Sequence, residues 1–268
     1  MPLRAPEAID DTQLVTNGVN DGTILPVCAA LAARVNAFLE TEAETPLLKA
    51  VQEQTRVALG VIGTALEQYS LEEISLSYNG GKDCLVLLIL LLASLAKCPK
   101  RPLPSALQSV YIISQHAFSE VDHFVDHSVT TYGLDLSRFA MPMKEAFSLY
   151  LNERPEVKAI LVGTRRTDPH GQDLTHFDKT DHGWPAFMRV HPVIDWHYAE
   201  IWAFIRHLEI PYCVLYDRGY TSLGGTTDTH PNPALKAETG DDNDGTAATF
   251  RPAYELIEDK AERLGRDW

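Results

Sequence analysis

The sequence predicts an α/β fold, a Rossmann-like parallel sheet with helices on both faces. Three observations predict it. Ile74-Ser75-Leu76-Ser77-Tyr78 alternates as a short strand, the pair Gly80-Gly81 follows, and Leu85 to Ala96 is an almost unbroken apolar run. Strand, glycine turn and apolar helix make half of a parallel α/β unit. Downstream, short apolar strand patterns alternate with amphipathic helical ones as far as residue 162, the rhythm of βαβ repeats.

In chain order, residues 1–22 are polar and turn-rich and read as a loose leader. Residues 23–268 read as one domain, with a core of about 70–210 and an extension over 211–268. Leu25 to Glu40 carries Val27, Leu31, Val35, Phe38 and Leu39 at helical spacing, and a second helix is expected from Pro46 to Gln68. After the first strand and its helix, Ser109 to Ser114 reads as a strand and Phe118 to Thr131 as an amphipathic helix. Leu136 to Met141 (strand), Lys144 to Asn152 (helix) and Ala159 to Val162 (buried strand) complete the alternation. Residues 163–187 form a long polar loop, of the kind that usually carries function. Arg189 to Trp196 returns to the core, Tyr198 to Leu208 is a helix, Asp241 to Asp244 is an acidic spacer, and Tyr254 to Arg263 is expected to form a charged terminal helix.

The chain is acidic, with a formal net charge of -14, which disfavours nucleic acid and anionic membranes as partners. The longest apolar run, about twelve residues, is too short to cross a bilayer. The four cysteines, Cys28, Cys84, Cys98 and Cys213, form no C-x-x-C pair. They read as free thiols in a reducing compartment, so a cytoplasmic location is expected. His123 and His127 lie four apart on one helix, but Asp122 and Asp126 flank them and no third ligand is apparent; they read as a solvated face.

The stretch Ser77-Tyr78-Asn79-Gly80-Gly81-Lys82-Asp83-Cys84 reads as a phosphate site. Glycines admit a ligand close to the backbone, and the free amides and dipole at a helix start favour an anion. Lys82 adds a cation, and Asp83 is placed to hold Mg²⁺ against phosphates. A Walker A loop would need Gly and Ser or Thr where Leu76 and Asp83 stand, and no G-x-G-x-x-G occurs.

These eight residues resemble the Ser-x-Ser/Asn-Gly-Gly-Lys-Asp-Ser/Cys loop of the ATP pyrophosphatase (PP-loop) superfamily. Four more stretches narrow the resemblance: Gly163-Thr164-Arg165-Arg166-Thr167-Asp168-Pro169, Arg189-Val190-His191-Pro192-Val193-Ile194-Asp195-Trp196, Tyr220 to Gly225, and Arg251 to Leu256. Together, over roughly residues 70 to 268, they resemble the eukaryotic single-domain FAD synthases, which are FMN adenylyltransferases with a PAPS reductase-like (adenine nucleotide alpha hydrolase-like) fold. The resemblance implies the Mg²⁺-dependent reaction ATP + FMN → FAD + pyrophosphate, the last step of FAD biosynthesis. It implies small molecules as partners, and leaves the oligomeric state open, a monomer being compatible.

The resemblance also casts residues in roles. Ser77, Asn79, Gly80, Gly81 and Lys82 would hold ATP phosphates. Tyr111, Ile112 and Ile113 would flank adenine, with Gly163 nearby. Arg165 would meet the FMN phosphate, and Asp168, Asp181, Trp184 and Arg189 would stand on the flavin side. For Mg²⁺, Asp83 is the first choice and Asp168 the second. Glu262-Arg263-Leu264-Gly265-Arg266 matches the family's E-R-x-G-R ending, and Arg263 and Arg266, three apart on a helical turn, suit a phosphate clamp. On the sequence alone Trp184 is a stacking plate or core, and Asp181 a ligand or a surface charge.

Overall fold

A computed structural model of the chain describes residues 22–100, 102–237 and 249–267. The loose leader, apart from its last residue, and the acidic spacer at 241–244 therefore lie outside the described residues. Among the described residues six α-helices are α1 Leu25–Glu40, α2 Pro46–Gln68, α3 Lys82–Leu95, α4 Ser119–Tyr132, α5 Met143–Glu153 and α6 Tyr198–His207. Six strands are β1 Ile74–Ser77, β2 Leu107–Ile112, β3 Leu134–Phe139, β4 Ala159–Leu161, β5 Phe177–Lys179 and β6 Met188–Val190. They form one sheet in the order β3-β2-β1-β4-β6-β5.

Helix α3 is apolar almost all round because it is buried almost all round, from Cys84 through Leu92 without a break. It packs between α1, α2 and α6 on one face of the sheet. On the other face α5 closes a second core, in which Ala146, Phe147 and Tyr150 meet Val110, Phe139, Ile160 and Phe187. The central strands β1, β2 and β4 are buried on both faces, as strands between two helical layers must be. Local signals fix the ends. Thr45 caps α2, its hydroxyl accepting from the Leu48 N–H at 3.1 Å, and Gly133 ends α4 with φ 67. The Gln52 amide donates to Phe38 O and Thr41 O, at 2.7 and 2.8 Å, and so satisfies the end of α1.

The structure differs from the sequence reading in three places. The sheet is mixed rather than wholly parallel: β5 pairs antiparallel with β6, Asp178 opposite Arg189. A three-residue edge strand inside a polar loop carries no periodicity of its own, so only its partner reveals it. Strands β2 and β3 begin two residues earlier than expected, β3 because Gly133 turns the chain straight out of α4 into the sheet. The terminal helix is absent. Residues 253–261 instead form two short 3₁₀ turns, Ala253–Glu255 and Asp259–Ala261. Ile257 and Leu264 are exposed, so no apolar stripe holds a helix down, and tertiary bonds take the backbone instead. The Tyr198 hydroxyl donates to Ala253 O at 2.8 Å, and the Tyr198 N–H donates to Asp259 at 2.6 Å.

Candidate functional site

The turn between β1 and α3 is shaped by Gly80, whose φ of +73 lies in the left-handed region, and a Cβ there would come within 2.9 Å of Val125 Cγ2. Gly163, at the carboxyl end of β4, is required for a different reason: a Cβ would sit 2.7 Å from the Cys84 amide nitrogen. The start of α3 and the end of β4 thus touch backbone to backbone.

Asn79 is set by its own loop. Its Oδ1 accepts from the Gly81 N–H at 3.0 Å and from the Cys84 thiol at 2.8 Å. Both bonds take the carbonyl side, so the amide NH₂ is left to the exposed side of the residue. The thiol is a dependable donor because burial pushes its pKa up to about 12. The Lys82 N–H donates to the Tyr216 hydroxyl at 2.9 Å.

Beneath the loop lies a buried network of charges. The Lys82 ammonium meets Asp83 Oδ2 at 3.0 Å and Glu262 Oε1 at 2.5 Å, and lies 5.0 Å above the Tyr198 ring. Arg165, wholly buried, meets Asp83 Oδ1 at 2.8 Å through Nε, meets Glu262 through Nη2, and lies 3.6 Å from Asp259. Burial works against the Asp83 carboxylate, but Arg165 and Lys82 outweigh it and hold its pKa below the ordinary value. Burial likewise opposes the Arg165 charge, and Asp83 and Glu262 more than restore it, so the guanidinium stays protonated. Two cations balanced by two carboxylates satisfy the condition under which buried charge is tolerated.

The terminal arginines stand on one tight turn, closed by the Arg266 N–H donating to Arg263 O at 3.0 Å. Glu262 roots that turn: its carbonyl accepts from the buried Thr221 hydroxyl, which in turn accepts from the Asn232 amide at 2.8 Å. Arg263 lies 3.6 Å from Asp168 Oδ1, and Arg266 lies 3.4 Å from Asp228. Asp168 also accepts from the Arg165 N–H at 2.9 Å.

A cavity of about 580 Å³ opens over these groups at the carboxyl ends of the strands, where open α/β sheets hold ligands. Of the residues singled out in the sequence, Ser77, Asn79, Gly81, Lys82, Asp83, Ile112, Gly163, Asp168, Asp181, Trp184, Arg189, Arg263 and Arg266 line it. Gly80, Tyr111, Ile113 and Arg165 do not. Strand alternation explains Tyr111, which turns from the cavity and donates its hydroxyl to Asp122 on α4 at 3.1 Å. Arg165 was expected at the phosphate of a second ligand; its guanidinium instead lies under the loop, tied to Asp83 and Glu262. Trp184 is 37% exposed and tilts against Phe147, with ring centroids 6.3 Å apart, so it is a cavity wall rather than core. Asp181 is exposed and lies 3.0 Å from the His182 ring nitrogen.

Glu262, Tyr216, Thr221 and Asn232 support the site without having been assigned a role from sequence. Glu262 had one visible signal, its place beside the two arginines. The others had none, since each acts on residues far away in the chain.

The phosphoadenosine phosphosulfate reductase domain matches residues 73–148 and 138–231. A probable FAD synthase of Schizosaccharomyces pombe is 43% identical over 223 residues, 82% of this chain and 81% of the relative. The crystal structure of Candida glabrata FMN adenylyltransferase in complex with FAD and inorganic pyrophosphate superposes with a TM-score of 0.84 at 31% identity. That match covers 91% of this chain and 99% of the other. The same enzyme in complex with FMN and the ATP analog AMPCPP gives 0.83 at 31% identity, over 91% and 97% of the two chains. The chain therefore belongs to the eukaryotic FAD synthase family, nucleotidyltransferases built on the phosphoadenosine phosphosulfate reductase domain.

Proposed function

We propose that the chain transfers the adenylyl group of ATP to FMN, giving FAD and pyrophosphate, with Mg²⁺, as the last step of FAD biosynthesis. The observation that carries this reading is the make-up of the cavity over the loop. One part of its wall is cationic and donor-rich (Asn79, Arg263, Arg266) and another is aromatic (Phe147, Trp184, Phe187). A nucleoside triphosphate and a planar, phosphate-bearing ring system ask for those two surfaces together. The relative from Candida glabrata, crystallised with FMN and an ATP analog in one complex, supports the same pair of ligands.

An oxygen of the FMN phosphate attacks the α-phosphorus of ATP, the bond from that phosphorus to the bridging oxygen breaks, and pyrophosphate departs with the electron pair. The attacking group is already an anion at neutral pH, so no strong base is required. The residues position two anions and receive charge on the leaving group. In this reading Asn79 donates its NH₂ to the α-phosphate region, and Arg263 and Arg266 clamp the departing oxygens, while the Gly81 and Lys82 amides hold the loop's shape through Asn79 Oδ1 and the Tyr216 hydroxyl. Lys82 and Arg165 act from beneath, by holding Asp83 and Glu262 in place.

The donor set bears on where Mg²⁺ would bind. Both Asp83 oxygens already face cations, Arg165 at 2.8 Å and Lys82 at 3.0 Å. Among the described residues Asp168 Oδ1 faces Arg263, at the longer distance of 3.6 Å, and in this reading Asp168 is the first choice of ligand and Asp83 the second. One or two carboxylates with substrate phosphates are a usual Mg²⁺ shell, so the residues fit the ion; when bound, it neutralises charge on the phosphates. The buried thiols, none of them in a disulfide among the described residues, and the acidic surface support a cytoplasmic enzyme acting on small molecules as a single α/β domain.

The test is to mix the purified protein with ATP, Mg²⁺ and FMN and follow FAD and pyrophosphate together. Equal appearance of both, absent without Mg²⁺ and absent with riboflavin in place of FMN, is the expected result. FMN or ATP binding with no FAD formed would reject the transferase reading.

A further inference from the structure

His191 follows β6 directly and has no part in the reaction outlined above. Its side chain is 1% exposed, yet it lines the cavity. The chain grips it from the loop before β5: the His191 N–H donates to His176 O at 2.9 Å, and His176 Nδ1 donates to His191 O at 3.0 Å.

The ring is oriented with equal care. Its Nδ1 lies 2.9 Å from Thr175 O and 3.5 Å from Asp178 Oδ2. Both are acceptors, so Nδ1 must carry a proton. Burial pushes the imidazole pKa down, assisted by Arg189 and His176 and opposed by the Thr175 carbonyl and Asp178. The ring is therefore neutral near pH 7, and the Nδ1 proton is its only one. Nε2 is left with its lone pair, and among the described residues the ring's polar contacts are all made through Nδ1. A core histidine satisfied for packing alone would have both nitrogens tied or one of them in bulk solvent. This one has a tied nitrogen behind it and a bare acceptor at the cavity.

The sheet gives its position along the ligand. Leu76 pairs with Leu161 and Leu161 with Val190, and the Val162 N–H donates to Val190 O at 2.9 Å. His191 is thus one step past that row, two strand spacings or about 10 Å from the end of the strand that carries the phosphate loop. The aromatic wall of Phe147, Trp184 and Phe187 stands beyond the sheet on the α5 side. Between a phosphate at the loop and a ring at that wall comes the polyol chain of the flavin, whose hydroxyls are hydrogen-bond donors.

We propose that His191 is a substrate-binding residue whose Nε2 accepts a hydrogen bond from a hydroxyl of the flavin's sugar-alcohol chain. The inference rests on the reading of FMN as acceptor, and the experiment separates the two. Wild-type turnover of FMN tests that reading. His191 is tested by comparing FMN with a flavin that carries a phosphopentyl chain lacking the internal hydroxyls, each with ATP, in wild type, His191→Asn and His191→Gln.

Asn places an amide nitrogen near the Nδ1 position and keeps the tie to Thr175, but offers nothing at Nε2. Gln reaches the Nε2 position with an acceptor. His191→Asn should raise KM for FMN about five- to tenfold with kcat within about twofold, the size of one neutral hydrogen bond made in ground and transition states alike. His191→Gln should recover most of that loss. On the hydroxyl-free flavin wild type and His191→Asn should be equal. A purely structural role predicts the reverse, rescue by Asn and not by Gln. Equal losses on both flavins, no loss on either, or a wild type that does not distinguish the two flavins in KM would overturn the proposal. The last comparison needs no variant, so it decides even if a substitution prevents folding.

Discussion

The Cys84 thiol donates to Asn79 Oδ1 at 2.8 Å while the Gly81 N–H takes the same oxygen, and that pair of bonds decides which side of the amide the cavity meets. The resemblance allows Ser or Cys at this place, and both are donors. Cys84→Ser should therefore keep kcat/KM within about twofold, whereas Cys84→Ala should lower it about three- to tenfold, the worth of one neutral hydrogen bond. Steady-state kinetics on the two variants checks this. Glu262 is the second decisive residue, buried at 4% exposure and shared by Lys82 and Arg165. Glu262→Ala leaves two buried cations with Asp83 and the more distant Asp259 and should destabilise the fold by about 3 to 5 kcal/mol, read from the urea midpoint. A loss below about 1 kcal/mol would mean the cations find other partners.

Helix α3 and its loop act as one element: the apolar run anchors the helix so that its first turn stays fixed at the cavity floor. Gly80→Ala forces an L residue into φ +73 and drives a Cβ to 2.9 Å from Val125 on α4. The conformational term alone is about 1 to 2 kcal/mol. The variant should lose ATP affinity before it loses the fold, visible as a smaller shift in melting temperature on adding ATP. The terminal segment behaves differently. Its arginines are set by a turn tied to Thr221 and Asn232 rather than by helical packing. Asn232→Ala, remote in sequence from both arginines, should therefore weaken the clamp. Expected is a fall in kcat larger than the rise in KM for ATP, since the clamp acts on charge that develops in the transition state.

Across the whole molecule, the network under the loop joins the sheet to the last described turn of the chain, from Lys82 and Asp83 to Asp259 and Glu262. Its pH response follows from Asp83. The folded pKa lies below the ordinary 3.8, so the folded state binds fewer protons than the unfolded chain in that range. The contribution is fully present above the unfolded pKa and is lost as pH falls through the folded one. Between about pH 5 and 8 this group should leave stability flat, and below about pH 4 stability should drop. Asp83→Asn should show a shallower acid limb, measured by denaturant midpoints from about pH 5 down to 3; an unchanged limb would assign it to other carboxylates.

The residues that could be read directly were those whose role is local. The phosphate loop is contiguous, and its shape lies in φ angles and a buried helix that neighbouring residues dictate. The place of Asn79 and Gly81 at the cavity was therefore legible, as was the α/β alternation, because strand and helix periods are written in adjacent side chains; Asp83 was marked for Mg²⁺, whereas its two oxygens meet Arg165 and Lys82. Sequence also marked the Arg263-Arg266 pair, but as part of a helix that does not form. Tertiary structure decided whatever depends on partners far apart in the chain. It made β5 a strand by pairing it with β6, and turned Tyr111 toward α4. It also drew Arg165 beneath the loop, because Asp83 and a Glu 97 residues further on offered carboxylates in a place closed to water. A buried charge goes where its counter-charge is, and the fold alone determines which residues meet.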